Sequence, residues 1–453
     1  MWVQELTLEN IKCFENCTIP FGTAKKPYKW VTLLGENGGG KSSALQALAL
    51  LLAGPEGASL LLRRPEGWLR DENRLGKIGV SIHQGKQDPG KFGTDRISTI
   101  FTYNYLLTGS QRLVVGGKDE KTYTEPTILE GGKNKRFSWL RENALLPKGN
   151  GWFAAGYGAF RRLTRKEGQI IVPSFQKPLR YTNFLTQFEE DEPLTAFEQW
   201  LVFLDYRISK NSETGKIAAN QLKMGIEAIN KLLPEGSSFE KIDENGRVWF
   251  NVDGASVTTL ALSDGYRSVL ALAGDLVWRL IEAFPDSKKP LEQEGVVLID
   301  ELDIHLHPTW QRNIAQWLQN VFPNIQFIVA THSPLIAAGA GKDAVAYRVF
   351  KNEMGNSSIE KIEDQLTFKD VDSILLSRAF GLVSTFSPEA EETMETYLFL
   401  KDKTPKTAVE QAHFNQIQPF AAEMLKSSPS ILDDSTDDLK QEMLNYIKTS
   451  LAK

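Results

Sequence analysis

Four stretches of this 453-residue chain carry residues whose types and spacing suit chemistry on phosphates. The first, Gly35-Glu36-Asn37-Gly38-Gly39-Gly40-Lys41-Ser42-Ser43, fits G-x-x-x-x-G-K-[ST]. Its glycines permit positive φ, so the N–H groups from Asn37 to Gly40 can turn inward as an anion nest. The helix that follows adds a dipole favouring phosphate. Lys41 would then reach the β and γ phosphates of a nucleotide, and Ser42 would place its hydroxyl on Mg²⁺. The second stretch, Leu262-Ser263-Asp264-Gly265-Tyr266-Arg267-Ser268, puts Ser263 at a helix N-cap and leaves Gly265 bare for a phosphate to approach. In the third, Gly295 to Asp303, an apolar β-branched run ends in Asp300 and Glu301, with Asp303 just beyond. Asp300 is expected beside the magnesium, and Glu301 further out where it can poise a water. The fourth ends an apolar strand with Thr331-His332-Ser333-Pro334, and His332 can reach a γ-phosphate.

Strands and helices must hold these groups in place. Trp30 to Leu34 reads as a strand and Ala44 to Leu52 as a helix, the context a phosphate loop needs; a plain glycine-rich surface turn is the simpler alternative for that loop alone. Residues 2 to 8 and 17 to 21 read as a hairpin, with Lys12 in its turn facing the nucleotide or simply solvated. Short β-type runs at 77 to 84, 97 to 106, 111 to 115 and 136 to 141 suggest a strand-rich arm. Gly151 to Phe160 reads as a buried strand running into a glycine-flexed turn, followed by the basic cluster Arg161, Arg162, Arg165 and Lys166, a candidate phosphate contact or a solvated positive face. Helices are expected at 196 to 206, 218 to 233 and 269 to 283, and beyond residue 350 near 371 to 380, 388 to 400, 408 to 426 and 437 to 451. His305 and His307 flank a helix start without a thiolate or third His for zinc, and Asp370 with Asp372 reads as a helix-start acid pair.

With 57 acids against 52 bases, the net charge of −5 gives no general attraction to nucleic acid, so binding there would need a local basic patch. No apolar run approaches the roughly 18 residues of a membrane span. Two cysteines, Cys13 and Cys17, are too few for a disulfide framework and fit a reducing cytoplasm.

In order and spacing, the four motifs resemble those of ATP-binding-cassette ATPases: Walker A at 35 to 42, the signature at 262 to 268, Walker B with its glutamate at 296 to 301, D-loop Asp303 and switch His332. Leu6-Thr7-Leu8-Glu9-Asn10-Ile11-Lys12-Cys13-Phe14 and Glu301-Leu302-Asp303-Ile304-His305-Leu306-His307-Pro308 look like the SMC, RecF and OLD branch. Transporter cassettes usually carry proline where this chain has Leu302. The resemblance implies an α/β P-loop core over residues 1 to 350, with an arm at about 77 to 150, a helical signature lobe at about 165 to 290, and a mainly helical region from 351 to 453. It implies ATP and Mg²⁺ held by Asn37 to Ser43 and Asp300, with Glu301 and His332 catalytic. Ser263, Gly265 and Asp303 would be supplied by a second copy in a head-to-tail dimer. The family's magnesium-sensing glutamine is missing from its usual place after the arm, where Gly156-Tyr157-Gly158 stands, and Gln84 and Gln87 are weak substitutes. No TOPRIM-like acid set or HNH-like histidine cluster is evident. The layout looks like the ATPase subunits of anti-phage systems such as Septu, PARIS and retrons, in which a separate partner, a nuclease, does the damage. A RecF-like DNA clamp and a transporter ATPase are the alternatives.

Overall fold

The computed structural model describes residues 1–63, 65–90, 92, 100–108, 113–115, 121–123, 127–131, 135–147, 151–161, 179–189, 196–210, 213–382 and 384–427. Arg162, Arg165, Lys166 and the helix expected at 437 to 451 lie outside these residues. The strands are β1 (Trp2–Ile11), β2 (Phe14–Pro20), β3 (Trp30–Leu34), β4 (Gly76–His83), β5 (Ile100–Thr108), β6 (Leu113–Val115), β7 (Lys121–Tyr123), β8 (Thr127–Glu130), β9 (Phe153–Tyr157), β10 (Ser237–Ile242), β11 (Val248–Val252), β12 (Ala255–Thr258), β13 (Gly295–Ile299), β14 (Ile325–Ala330), β15 (Val345–Lys351) and β16 (Ser357–Ile362). The helices are α1 (Lys41–Ala53), α2 (Pro55–Leu61), α3 (Lys135–Asn143), α4 (Ala196–Ser209), α5 (Glu213–Leu232), α6 (Asp264–Ala283), α7 (Pro308–Val321), α8 (Pro334–Gly339), α9 (Val371–Leu376), α10 (Pro388–Asp402) and α11 (Ala408–Ser427).

The central sheet runs β16-β15-β3-β14-β13-β9, parallel throughout except for the antiparallel edge pair β15–β16. Because side chains alternate along a strand, each core strand serves two cores. Val296, Leu298, Ile328 and Ala330 face α1, whereas Val297, Ile299, Phe327 and Val329 face a layer of helices that includes α4, α5, α6 and α7. A second, antiparallel sheet, β2-β1-β4-β5-β8, closes over α1 from the other side. This explains why α1 is apolar all round, with its residues from Ala47 to Ala53 buried: it is a core helix and has no solvent face. Each fully buried leucine there contributes about 1.5–3 kcal/mol of transfer free energy.

Polar groups inside this core are partnered in ways the hydrophobic pattern does not reveal. Gln326 on β14, 2% exposed, accepts from Val3 N (2.7 Å) and donates to Val3 O and Phe21 O, joining the two sheets where β1 carries an irregularity. The last carbonyls of α1, which lack helical partners, accept from Tyr103 Oη at Leu51 and from Arg180 Nε at Leu52, both at 2.7 Å.

Most expected elements form, with boundaries shifted by a few residues. Residues 136 to 141, expected as a strand, lie in α3, where Phe137 and Leu140 at i and i+3 point inward. α2 was not expected; Gly54 and Pro55 start it immediately after α1. Asp370 caps α9 by accepting from Ser373 N, the helix-start role expected of it.

Two compact units emerge: residues 1–369 with 378–380, and residues 370–377 with 381–453. Within the described part of the second, α10 and α11 enclose a small core of Tyr397, Leu400, Ile417, Ala421 and Ala422. No helix among the described residues is long and apolar enough to cross a membrane.

Candidate functional site

The phosphate loop connects β3 to α1. Gly40, the residue before α1, has φ +106°, and a Cβ there would come within 2.5 Å of Cys13 Sγ and 2.7 Å of the Phe14 ring, so only glycine fits both its backbone and its neighbours. Lys41 is 5% exposed, and its ammonium donates to Gly35 O at 2.8 Å and Glu36 O at 3.0 Å. The lysine thus holds its own loop. Burial pulls its pKa down, opposed by Asp300, Glu301, Asp303 and Glu36. The same four acids bring Walker A and Walker B into one electrostatic field.

Asp300 follows β13, and its N–H donates to Tyr157 O at 2.8 Å, fixing it at the sheet's carboxyl edge. Burial raises the pKa of its carboxyl, a bond to Ser42 lowers it, and Arg161 and Lys41 also favour the ionised form. Oδ1 is buried without a partner, so an oxygen beside the Ser42 hydroxyl is available to a cation. Glu301 adopts φ +43°, a left-handed conformation that costs a non-glycine residue about 1 kcal/mol or more and tends to be kept where function over-determines it. Asp303 accepts from Thr331 Oγ1 and, at 3.3 Å, from His332 N, which ties the D-loop to the end of β14 within the same chain. Burial and the nearby Lys41 hold the His332 imidazole below its ordinary pKa, leaving it neutral at pH 7.

Ser263 occupies the N-cap position of α6, but its side chain makes no bond to the first turn, so the expected cap is positional only; the residue is exposed. A Cβ on Gly265 would lie 2.8 Å from His305 O, so the signature turn rests against the D-loop of its own chain. Tyr266 anchors it, stacking edge-on against Trp310 at 4.6 Å and bonding Ser237 at 2.8 Å. His307 N-caps α7 by accepting from Thr309 N.

Arg161 corrects an expectation. It is 4% exposed, and its guanidinium donates from Nη1 to Gly158 O (2.7 Å) and Asp300 O (2.5 Å) and from Nη2 to Glu301 O (2.8 Å). A side chain committed to three interior carbonyls is not offered to DNA phosphates; it clamps the Walker B turn.

The absent glutamine also finds a candidate. Gln84 donates to Gly90 O and Asp88 O of its own loop, and Gln87 is exposed. Gln187, however, is 7% exposed, and neither atom of its amide has a partner. It lies against the end of β9: a Cβ on Gly156 would meet its Oε1 at 2.3 Å, and one on Gly158 would meet Thr186 O at 1.9 Å. Those two glycines, read as a flexed turn, are bare because this segment is laid across them. Nothing local in the sequence links residue 187 to residue 156, so sequence reasoning missed it. Lys12 donates to Gln46 Oε1 (2.9 Å) and lies over Trp68. Cys13 sits against the loop near Gly39 O, while burial raises the Cys17 thiol to about 11.

This sheet order, with the Walker A loop after β3, His332 just past β14 and the Walker B acids at the end of β13, together with a signature helix, defines an ABC-type P-loop ATPase fold. The chain belongs to the family described as "AAA domain, putative AbiEii toxin, Type IV TA system", whose model matches residues 31–338. It is similar to Septu protein PtuA of Bacillus mycoides (strain KBAB4), 27% identical over 481 residues that cover 99% of this chain and 57% of that protein. It is also similar to the retron Vc95 probable ATPase of Vibrio cholerae serotype O1 biovar El Tor, 49% identical over 84 residues, 18% of this chain and 16% of that protein. The chain therefore spans little more than half the length of the first relative and far less of the second. An SMC head bound to the C-winged helix domain of ScpA superposes with a TM-score of 0.48 and 17% identity, over 80% of this chain and 98% of that one.

Proposed function

We propose that the chain binds and hydrolyses ATP, and that two copies meet head to tail so that Ser263, Gly265 and Asp303 of one close over the phosphate loop of the other. The observation that carries the ATPase part of this reading is the convergence of Lys41, Asp300 and Glu301 of one chain on one electrostatic site beside His332. The exposed Ser263, with a hydroxyl not engaged by its own helix, supports the shared site. The loop amides and Lys41 bind the β and γ phosphates, and Ser42 and Asp300 fit Mg²⁺. When bound, that ion supplies positive charge against the phosphate oxygens. Glu301 orients a water in line with the γ-phosphorus and accepts its proton. The neutral His332 would donate an N–H to the γ-phosphate, and the unpartnered amide of Gln187 would be available to the Mg²⁺ that Ser42 and Asp300 would hold. Loss of the γ-phosphate removes the contacts that held the second copy.

The Septu and retron relatives support placing this ATPase in a bacterial anti-phage complex, as the subunit that senses or restrains a separate effector, a nuclease in our reading. The DNA-clamp reading loses Arg161, which is committed inside the protein. The test uses two variants. Glu301→Gln is expected to accumulate an ATP-bound pair, visible as doubled mass by light scattering, and Lys41→Ala to lose fluorescent-nucleotide binding. Turnover by Glu301→Gln at the unmodified rate would show that another group poises the water.

A further inference from the structure

A buried ionic group lies outside the nucleotide site and is unused by the mechanism above. Asp275, on the signature helix α6, is fully buried, and its Oδ2 accepts from Tyr157 Oη at 2.9 Å and from Arg279 Nε at 2.6 Å. Arg279, one turn further along α6, also donates from Nη1 to Asn183 Oδ1 at 2.6 Å. Asn183 donates in turn to Ala154 O on β9 at 3.0 Å, and it begins the short stretch that ends at Gln187. The carbonyl of Gln187 accepts from Gln46 Nε2 of α1 at 2.7 Å. On a parallel branch, Tyr157 receives the N–H of Asp300 at its own carbonyl. Five polar side chains thus join the signature helix to both halves of the phosphate site, with no exposed loop between them. Burying a carboxylate and a guanidinium costs free energy that a leucine pair would not, so packing alone does not account for the pair.

We propose that Arg279 is a positioning residue that couples the signature helix to the nucleotide site of its own chain, through Asn183 and the segment ending at Gln187. The proposal rests on the ATPase reading. In a head-to-tail pair the partner's nucleotide sits on Ser263 and Gly265, at the start of α6. A small shift of α6 there is carried by charge-assisted bonds to Asn183, and hence to the amide of Gln187 and the first turns of α1. A site loaded on one side of the dimer thereby sets the geometry of the other.

Asn183→Ala removes the link while leaving the Asp275–Arg279–Tyr157 group whole, and Asn183→Asp keeps an acceptor for Arg279. Alanine is expected to lower kcat by about ten- to a hundredfold, the ratio equivalent to one lost hydrogen bond to a charged group, with KM for ATP unchanged within about twofold. The aspartate variant is expected to restore most of the rate. A purely structural role would instead lower the melting temperature of both variants and raise KM. Independently of turnover, hydrogen exchange of residues 264–283 is measured in the Glu301→Gln chain with and without MgATP. Protection of α6 should change on nucleotide binding and should stop changing once Asn183→Ala is added. Unaltered kcat in Asn183→Ala, or α6 exchange that follows nucleotide equally in both chains, overturns the proposal and leaves the ATPase reading intact. Failure of the unmodified chain to bind nucleotide overturns both.

Discussion

Replacing Arg161 by alanine separates two accounts of one residue. If Arg161 were a solvated cation for DNA, its removal would leave stability within about 0.5 kcal/mol of the original, as at most surface positions, and would flatten the salt dependence of DNA binding by about one phosphate contact. In the structure, its loss strips partners from the buried carbonyls of Gly158 and Asp300 and from the partly buried carbonyl of Glu301. A buried group left unpaired costs about 1–3 kcal/mol, and the three share one guanidinium, so the combined cost is about 3–5 kcal/mol. At about 2 °C per kcal/mol for a unit of this size, the melting temperature falls by about 6–10 °C. The guanidinium also favours the ionised form of Asp300, so its removal raises that carboxyl's pKa further and weakens Mg²⁺-dependent nucleotide affinity. The assays are differential scanning calorimetry of the nucleotide-free chain and nucleotide titration at fixed Mg²⁺. A variant that melts with the parent while losing DNA affinity would refute the clamp and restore the surface reading.

The carboxyl of Asp300 ionises less readily in the folded chain than unfolded, so its burial cost is absent in acid and appears as pH rises above the unfolded value of 3.8. Asp300→Asn is accordingly expected to raise the nucleotide-free melting temperature at pH 7 while weakening MgATP binding. An unchanged or lower melting temperature would show that the buried charge is already compensated. For His332 the folded pKa lies below the unfolded 6.5, so the unfolded chain takes up the proton first and stability falls as pH drops from about 6.5 toward the folded value. His332→Gln should flatten urea stability across that window, and an equal slope in both chains would contradict the assignment. Gly158→Ala places a methyl carbon against Thr186 O, where 1.9 Å is available, and should cost about 2–3 kcal/mol together with most of the turnover, read by urea melts and phosphate release.

The sequence by itself determined the fold class and named the candidate site. A glycine-rich turn between an apolar strand and helix, and acids after a β-branched run, are local arrangements whose physics is complete within ten residues, and Lys41, Ser42, Asp300, Glu301 and His332 could be named from them. Tertiary structure alone decided what depends on approach between distant segments. The stretch of glycines after the arm looked like a flexible turn because its constraint, the backbone of Thr186 and Gln187, lies some thirty residues away; the same separation hid the free amide of Gln187. A basic run beginning at Arg161 reads as surface in one dimension, since charge is normally solvated, and only the three carbonyls converging on it reverse that expectation. The pairing of Arg279 with Asn183 is of the same kind: helical periodicity marks the buried face of α6, but which acceptor waits there is set by how the chain returns to the sheet.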